Sequence, residues 1–209
     1  MKLVELHAQV ELHARSLELA AEVVDTVRPD QLDLPTPCAG WPLRRLLAHV
    51  VGQHQGFAAA ARGAGPDLAL WADAPVGDDP AGAFRRTGAE LTAAFRGAAA
   101  AGRAAVRLPE IRPDAAVPTD LAVGFHLLDT LVHGWDVAAA VGARAPLVAA
   151  VDADEALAAA LSAVAEAVPA APENRTPGKA FGPRLEPDAR GGRFERALAL
   201  LGRDPAWRP

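Results

Sequence analysis

The sequence predicts an all-α protein: a four-helix bundle with additional C-terminal helices and long loops. Three observations carry that prediction. Alanine and leucine, both good helix formers, dominate the apolar residues, while tyrosine is absent and β-branched residues other than valine are few. Apolar residues recur at three- and four-residue intervals over long segments. Those segments alternate with stretches rich in proline and glycine, the pattern of antiparallel helices joined by loops.

The first helix is expected over residues 3–27. Leu3, Leu6, Val10, Leu17, Ala20, Val24 and Val27 mark one buried face, His13 fills the vacant place in the series, and Arg28-Pro29 ends the run. Residues 29–42 hold four prolines and read as an ordered, non-helical loop. A second helix is expected over 43–62, opened by Pro42 in its first turn. Gly and Pro break the chain over 63–80, and a third helix covers 81–101. After a break over 102–118, Thr119 or Asp120 caps a fourth helix to about Val141, with Gly142 suited to its end. An alanine-rich segment gives a fifth helix over 147–167. Residues 169–191 are rich in Pro, Gly and charge, and a short helix over 192–202 closes the chain. Residues 1–168 are expected to form the bundle, with 169–209 packed on it as an extension of the same domain.

Composition narrows the function. A chain of 209 residues with 51% hydrophobic and 22% charged residues is globular. The net charge of −5 and scattered Lys and Arg argue against a nucleic-acid partner. The amphipathic, acidic N-terminus is unlike a secretory signal, and no uncharged apolar stretch reaches the ~20 residues a membrane span needs. With one cysteine, Cys38, no intramolecular disulfide forms, and a cytoplasmic location is the simplest expectation. Apolar faces allow a monomer or a homodimer.

The fourth helix carries the chemistry. In residues 124–138, His126, Asp129, His133 and Asp136 are spaced 3, 4 and 3, which puts all four within about an 80° arc. Leu121, Phe125, Leu128, Val132 and Trp135 take the opposite face. If the stripe faces the interior, each ionisable group needs a partner, and one divalent metal satisfies several at once. Asp129 and His133, at i and i+4, converge over one turn as two ligands of one ion. Such a set suits Zn, Ni, Fe or Mn. A solvent-exposed polar stripe is the alternative that spacing leaves open. For a third ligand the second helix offers His49 and His54. Periodicity favours His54, on the stripe of Leu43, Leu47, Val50 and Phe57; His7 and His13 read as structural.

The segments PTPCAGWPLRRLLAHVVG, DTLVHGWDVAAAVG and RALALLGRDPAW together resemble the actinobacterial metal-binding branch of the DinB/YfiT-like superfamily. That branch is related to the N-terminal domain of mycothiol-dependent maleylpyruvate isomerase. The resemblance spans essentially the whole chain. It implies a four-helix core with a metal, zinc first among the candidates, held at one end by His49, Asp129 and His133. It thus selects His49 over His54, against the helical wheel. Many relatives carry Glu at the Asp129 position, so the shorter Asp bears on metal geometry.

His126 is a candidate fourth ligand or general base, and Asp136 a candidate to orient His133 or a structural acceptor. Cys38 could be a ligand or nucleophile, with packing the favoured role. Trp41 and Trp135 are expected to pack the loop on the bundle. Arg44 and Arg45 could meet an anionic substrate, a solvated surface pair being the simpler expectation. Three protein ligands would leave coordination open, the pattern of a catalytic site. The resemblance then implies a metal-dependent enzyme of thiol transfer or isomerisation on a small molecule, with a low-molecular-weight thiol such as mycothiol as cosubstrate. Alternatives are a metal-water hydrolase or other rearrangement enzyme of secondary metabolism, and a non-enzymatic metal- or small-molecule-binding protein of resistance or stress.

Overall fold

Four helices of 20–22 residues build the core: α1 (Leu3–Val24), α2 (Leu43–Arg62), α3 (Pro80–Ala100) and α4 (Thr119–Ala140). The structure is a computed structural model that describes residues 3–175 and 180–209. Expectations touching residues 1–2 and 176–179, and the side chain of Leu3, lie outside the described residues. Helix α1 packs chiefly on α4 and α2 on α3, while α1–α3 and α2–α4 contacts close the bundle. Three shorter helices follow: α5 (Arg144–Ala153), α6 (Glu155–Ala167) and α7 (Arg193–Leu200). Phe194, Leu198 and Leu201, in and just after α7, are buried in the same apolar cluster as Leu131 of α4. The fold is an all-α bundle, and no described helix is long and apolar enough to cross a membrane.

Four local expectations are corrected. Helix α1 stops at Val24, not 27, because the Thr26 hydroxyl donates to the Val23 carbonyl (2.7 Å) and the last N–H groups fall back on i−3 carbonyls. Neither Thr119 nor Asp120 caps α4: Pro118 takes the cap position without a side-chain bond, and the Thr119 hydroxyl donates instead to the Arg103 carbonyl (2.6 Å). The segment 102–118 is not merely a break. It holds an antiparallel hairpin, β1 (Ala105–Arg107) with β2 (Ala116–Pro118), Val106 facing Val117. The single helix expected over 147–167 is two, since Asp154 turns extended and its carboxylate accepts the Leu157 N–H (3.0 Å) to start α6. Gly142 does end α4, at φ 74°. On α4 itself, Leu121 is half exposed rather than part of the apolar face.

A polar layer divides the core. One apolar cluster contains Leu17, Leu47, Phe84 and Leu131, the other Val10, Phe57, Leu91 and Val123. Between them, every bundle helix contributes a fully or nearly fully buried polar side chain: His13, His54, Thr87, and His126 with Thr130. His13 Nε2 lies 2.9 Å from His126 Nδ1, Thr130 Oγ1 3.0 Å from the same nitrogen, and His54 Nδ1 2.9 Å from Thr87 Oγ1. Phe57, Phe84 and Phe95 meet these rings edge-on. One ring nitrogen of each histidine, His13 Nδ1, His54 Nε2 and His126 Nε2, has no hydrogen-bond partner. Burial keeps the imidazoles neutral. It drives His54 down to about 3 and, with His54 disfavouring a second charge beside it, His13 to about 3; burial and the neighbouring histidines push His126 well down too.

This layer predicts acid sensitivity. In the unfolded chain these histidines protonate near pH ~6.5, while folded His13 and His54 stay neutral to about pH 3. The unfolded state therefore binds more protons as pH falls through that window, and stability is lost at up to ~1.4 kcal/mol per pH unit for each group. Urea unfolding of the metal-free protein between pH 7 and 4 is expected to show this slope, reduced in His54→Leu. Thr87 keeps its bond to the Ala83 carbonyl in that variant (2.9 Å), so no new orphan confuses the comparison. Equal slopes in the two proteins would contradict the assignment.

Candidate metal centre

The loop before α2 is built to hold a fixed shape. Pro35 and Pro42 form a bridge, the Thr36 hydroxyl donates to the Trp41 carbonyl (2.8 Å), and the Leu43 N–H donates to Leu34 (2.9 Å). Gly40 sits at φ 77°, where other residues are strained. The loop thereby lodges Cys38 and Trp41 at one end of the bundle. The Trp41 ring meets the His49 ring edge-on at 4.9 Å, and the Arg45 guanidinium lies over Trp41 at 4.4 Å.

At this end α2 and α4 bring His49, Asp129 and His133 together, all half-buried, with donor atoms within 4.8 Å of one another. The two imidazoles are 5.4 Å apart and nearly perpendicular. His133 Nε2 is 3.4 Å from Asp129 Oδ1, while Asp129 Oδ2 is buried with no hydrogen-bond partner. Behind each imidazole stands a carboxylate. His49 Nδ1 faces Asp73 Oδ1 at 3.4 Å, and His133 Nδ1 faces Asp136 Oδ2 at 3.0 Å. Each carboxylate in turn meets an arginine: Asp73 meets Arg45 at 3.6 Å, and Asp136 takes a forked pair from Arg203, Nε at 2.9 Å and Nη2 at 3.1 Å. With Nδ1 spent on a carboxylate, both rings keep Nε2 for the centre.

Electrostatics separates the two histidines. Burial, then the neighbouring His133, lowers the His49 pKa, with Asp129 and Asp73 offsetting in part. Burial also works against a charge on His133, but Asp129, Asp136 and Cys38 outweigh it and hold its pKa well above the usual value. In the metal-free site the proton therefore sits on His133. Asp136 is fully buried; burial opposes its charge, and Arg203 and His133 overcome that and keep it ionised.

Of the α4 stripe, the structure brings Asp129 and His133 to the centre, sets Asp136 behind His133, and places His126 in the polar layer rather than among these donors. The stripe is interior, not a solvated face: His126 and Asp136 are fully buried. His54 shares the layer with His126 and His13. His7 is exposed. Cys38 Sγ donates to Asp136 Oδ2 at 3.2 Å and lies 3.9 Å from His133 Nδ1. Arg44 is an exposed partner of Asp33, and Trp135 is buried in the core. Two residues of the site had no assignment from sequence, Asp73 and Arg203. Asp73 lies in the loop 63–80 and carries no periodic signal. Arg203 had one available cue, its place in the closing LLGRDPAW segment. Gly202 turns at φ 78° against the Gly182 backbone, and this returns Arg203 to the core.

A family model described as the mycothiol maleylpyruvate isomerase N-terminal domain matches residues 13–138. The match contains His49, Asp129, His133 and Asp136 and ends before Arg203. Two uncharacterized proteins of Mycobacterium tuberculosis, from strains CDC 1551 / Oshkosh and ATCC 25618 / H37Rv, are each 33% identical over 202 residues, covering 91% of this chain and 95% of theirs. No solved structure matches.

Asp73 depends on a close approach at Gly52, where a Cβ would overlap the Ala72 carbonyl oxygen. Backbone, not a flexible side chain, must move. Gly52→Ala is therefore expected to cost ~1–3 kcal/mol in urea unfolding. It should also weaken metal binding, because Asp73 is displaced from His49. Unchanged metal affinity in a destabilised Gly52→Ala would remove Asp73 from the centre.

Proposed function

The chain belongs to the family of the mycothiol maleylpyruvate isomerase N-terminal domain, and on that premise we propose that it is a divalent-metal-dependent enzyme in which His49, Asp129 and His133 hold the ion and a low-molecular-weight thiol of the mycothiol type is the cosubstrate for S-transfer or isomerisation of a small molecule. The observation that carries this is the orphaned Asp129 Oδ2. A carboxylate oxygen buried without a donor, beside two imidazoles whose Nδ1 atoms are already taken by carboxylates, is costly unless a cation completes the set. Two nitrogens and one oxygen suit zinc first, with nickel, iron or manganese as alternatives.

Held by these three ligands, a divalent ion would have an open position and would favour the deprotonated form of a thiol at neutral pH. The residues do the rest. Asp73 and Asp136 fix the tautomers of His49 and His133. Asp129 contributes one negative charge, against the two positive charges that a divalent ion would bring to the set. Asp136 is a positioning residue, acting through His133. Trp41 and Arg45 form the rim beside His49, an aromatic face with a cation above it, available to a polar small molecule.

Elemental analysis tests the centre. Wild-type protein purified without chelator is expected to carry one metal per chain, and His133→Ala to lose it. Asp136→Asn is expected to weaken affinity by ~10–100-fold, the usual size of such an outer effect. Equal metal content in wild type and His133→Ala would overturn the ligand set. Turnover of candidate electrophiles with and without added thiol tests the chemistry: a reaction indifferent to thiol would favour metal-bound water as the nucleophile.

A further inference from the structure

His133 faces a second set of donors through its other nitrogen. Cys38 Sγ, His133 Nδ1 and Asp136 Oδ2 are separated by 3.0, 3.2 and 3.9 Å. Ligand atoms of a tetrahedral zinc-type ion, with bonds of ~2.0–2.3 Å, stand roughly 3.3–3.8 Å apart, so these spacings already bracket a coordination shell. A thiolate, an imidazole and a carboxylate are together a stronger attraction for a thiophilic divalent ion than the outer set, which has no sulfur.

Another cation already occupies this place. The Arg203 guanidinium is buried against the set, with Nε 2.9 Å from Asp136 Oδ1 and Nη2 3.1 Å from Oδ2 and 3.4 Å from Cys38 Sγ. Its planar fork spans carboxylate and sulfur together, which a point charge would not do. Both Asp136 oxygens are consequently satisfied, whereas Asp129 Oδ2 on the other face of His133 is not. The inner face is filled and the outer face is not.

We infer that Cys38, His133 and Asp136 form a second site for a thiophilic divalent cation, and that the Arg203 guanidinium keeps it closed. Opening it exchanges one cation for another: Arg203 withdraws, the Cys38 thiol and His133 Nδ1 each release a proton to solvent, and the ion takes the thiolate, His133 Nδ1 and an Asp136 oxygen. A neutral imidazole has one lone pair to give, so the two sites compete for His133 and do not fill together. Arg203 therefore does two things for the outer centre. It keeps the His133 lone pair on Nε2, facing Asp129, and it keeps the chain's own thiol off an ion there, leaving the open position for an external one. These two consequences for the outer centre rest on the proposed function; the inner site stands without them.

Cobalt(II) alone is the probe, because thiolate coordination gives a near-ultraviolet charge-transfer band that nitrogen and oxygen ligands lack. Wild-type protein with one equivalent of cobalt is expected to show no such band, and its Cys38 to be alkylated by iodoacetamide equally fast with and without the metal. Arg203→Met is expected to gain the band and to have Cys38 protected severalfold by cobalt, and the double variant with Cys38→Ser to lose the band. Arg203→Lys keeps the charge but gives up the fork, so it guards against a folding failure in the methionine variant and should show the band under excess cobalt. Adding His49→Ala to Arg203→Met should leave the band intact, since the inner set does not use His49. A band in the wild type, or none in the folded Arg203 variants, overturns the inference. A wild type that takes up no cobalt, beside an Arg203 variant that shows the band, would sink the outer centre and leave the inner site standing.

Discussion

Asp136 is a carboxylate with no access to water, and much of the architecture around it is an answer to that fact. An ion buried alone costs several kcal/mol even after relaxation, so its partners have to be ions or strong donors held in place. The three partners come from three parts of the chain: His133 from one turn earlier on α4, Cys38 from the loop before α2, and Arg203 from beyond α7. One buried charge thus fastens the loop and the C-terminal segment to the helix that carries the site. Removing Arg203 or His133 leaves the carboxylate with less compensating charge, and removing Cys38 leaves it a donor short, so these contacts act as a unit.

The α4 stripe serves two ends by changing depth along its length. His126 lies in the polar layer between the apolar clusters, a turn before Asp129 and His133 reach the half-open end, and Asp136 then plunges back into the interior. A residue stripe that looks uniform on a helical wheel therefore has three separate environments. Its buried members are neutral imidazole at one end and paired carboxylate at the other, and each is matched to what its neighbours provide.

Sequence showed the helices and the stripe because both are periodic, and periodicity is local. It missed what is paired across distance. The α5–α6 break was hidden because alanine continues on both sides of Asp154, and only the cap contact with Leu157 shows that the chain turns there. The hairpin of β1 and β2 has three residues per strand, too short for alternation to register. On α2, apolar periodicity pointed to His54 because it finds burial, and His54 is indeed the buried one, within the polar layer. His49 stands at the edge of that pattern, which is where a residue has to stand to face both the bundle and an opening. Resemblance chose it where the wheel could not. Asp73 and Arg203 belong to neither kind of signal, because each acts through contacts with residues far away in sequence.

The two histidines of the centre are backed by the same sequence of groups, imidazole to carboxylate to arginine, yet with unequal stiffness. The His49–Asp73–Arg45 series is partly exposed, with separations of 3.4 and 3.6 Å, and ion pairs of that kind hold geometry weakly. The His133–Asp136–Arg203 series is buried and forked, with separations of 3.0 and 2.9 Å. His133 is thus the fixed post of the centre and His49 the adjustable one. Asp129 is short by a methylene relative to Glu and rides on the same helix as His133, so it cannot reach far toward an ion. If these residues hold an ion as proposed, the slack needed to close a coordination shell around such a short ligand would have to come from the other helix, where His49 has the looser backing.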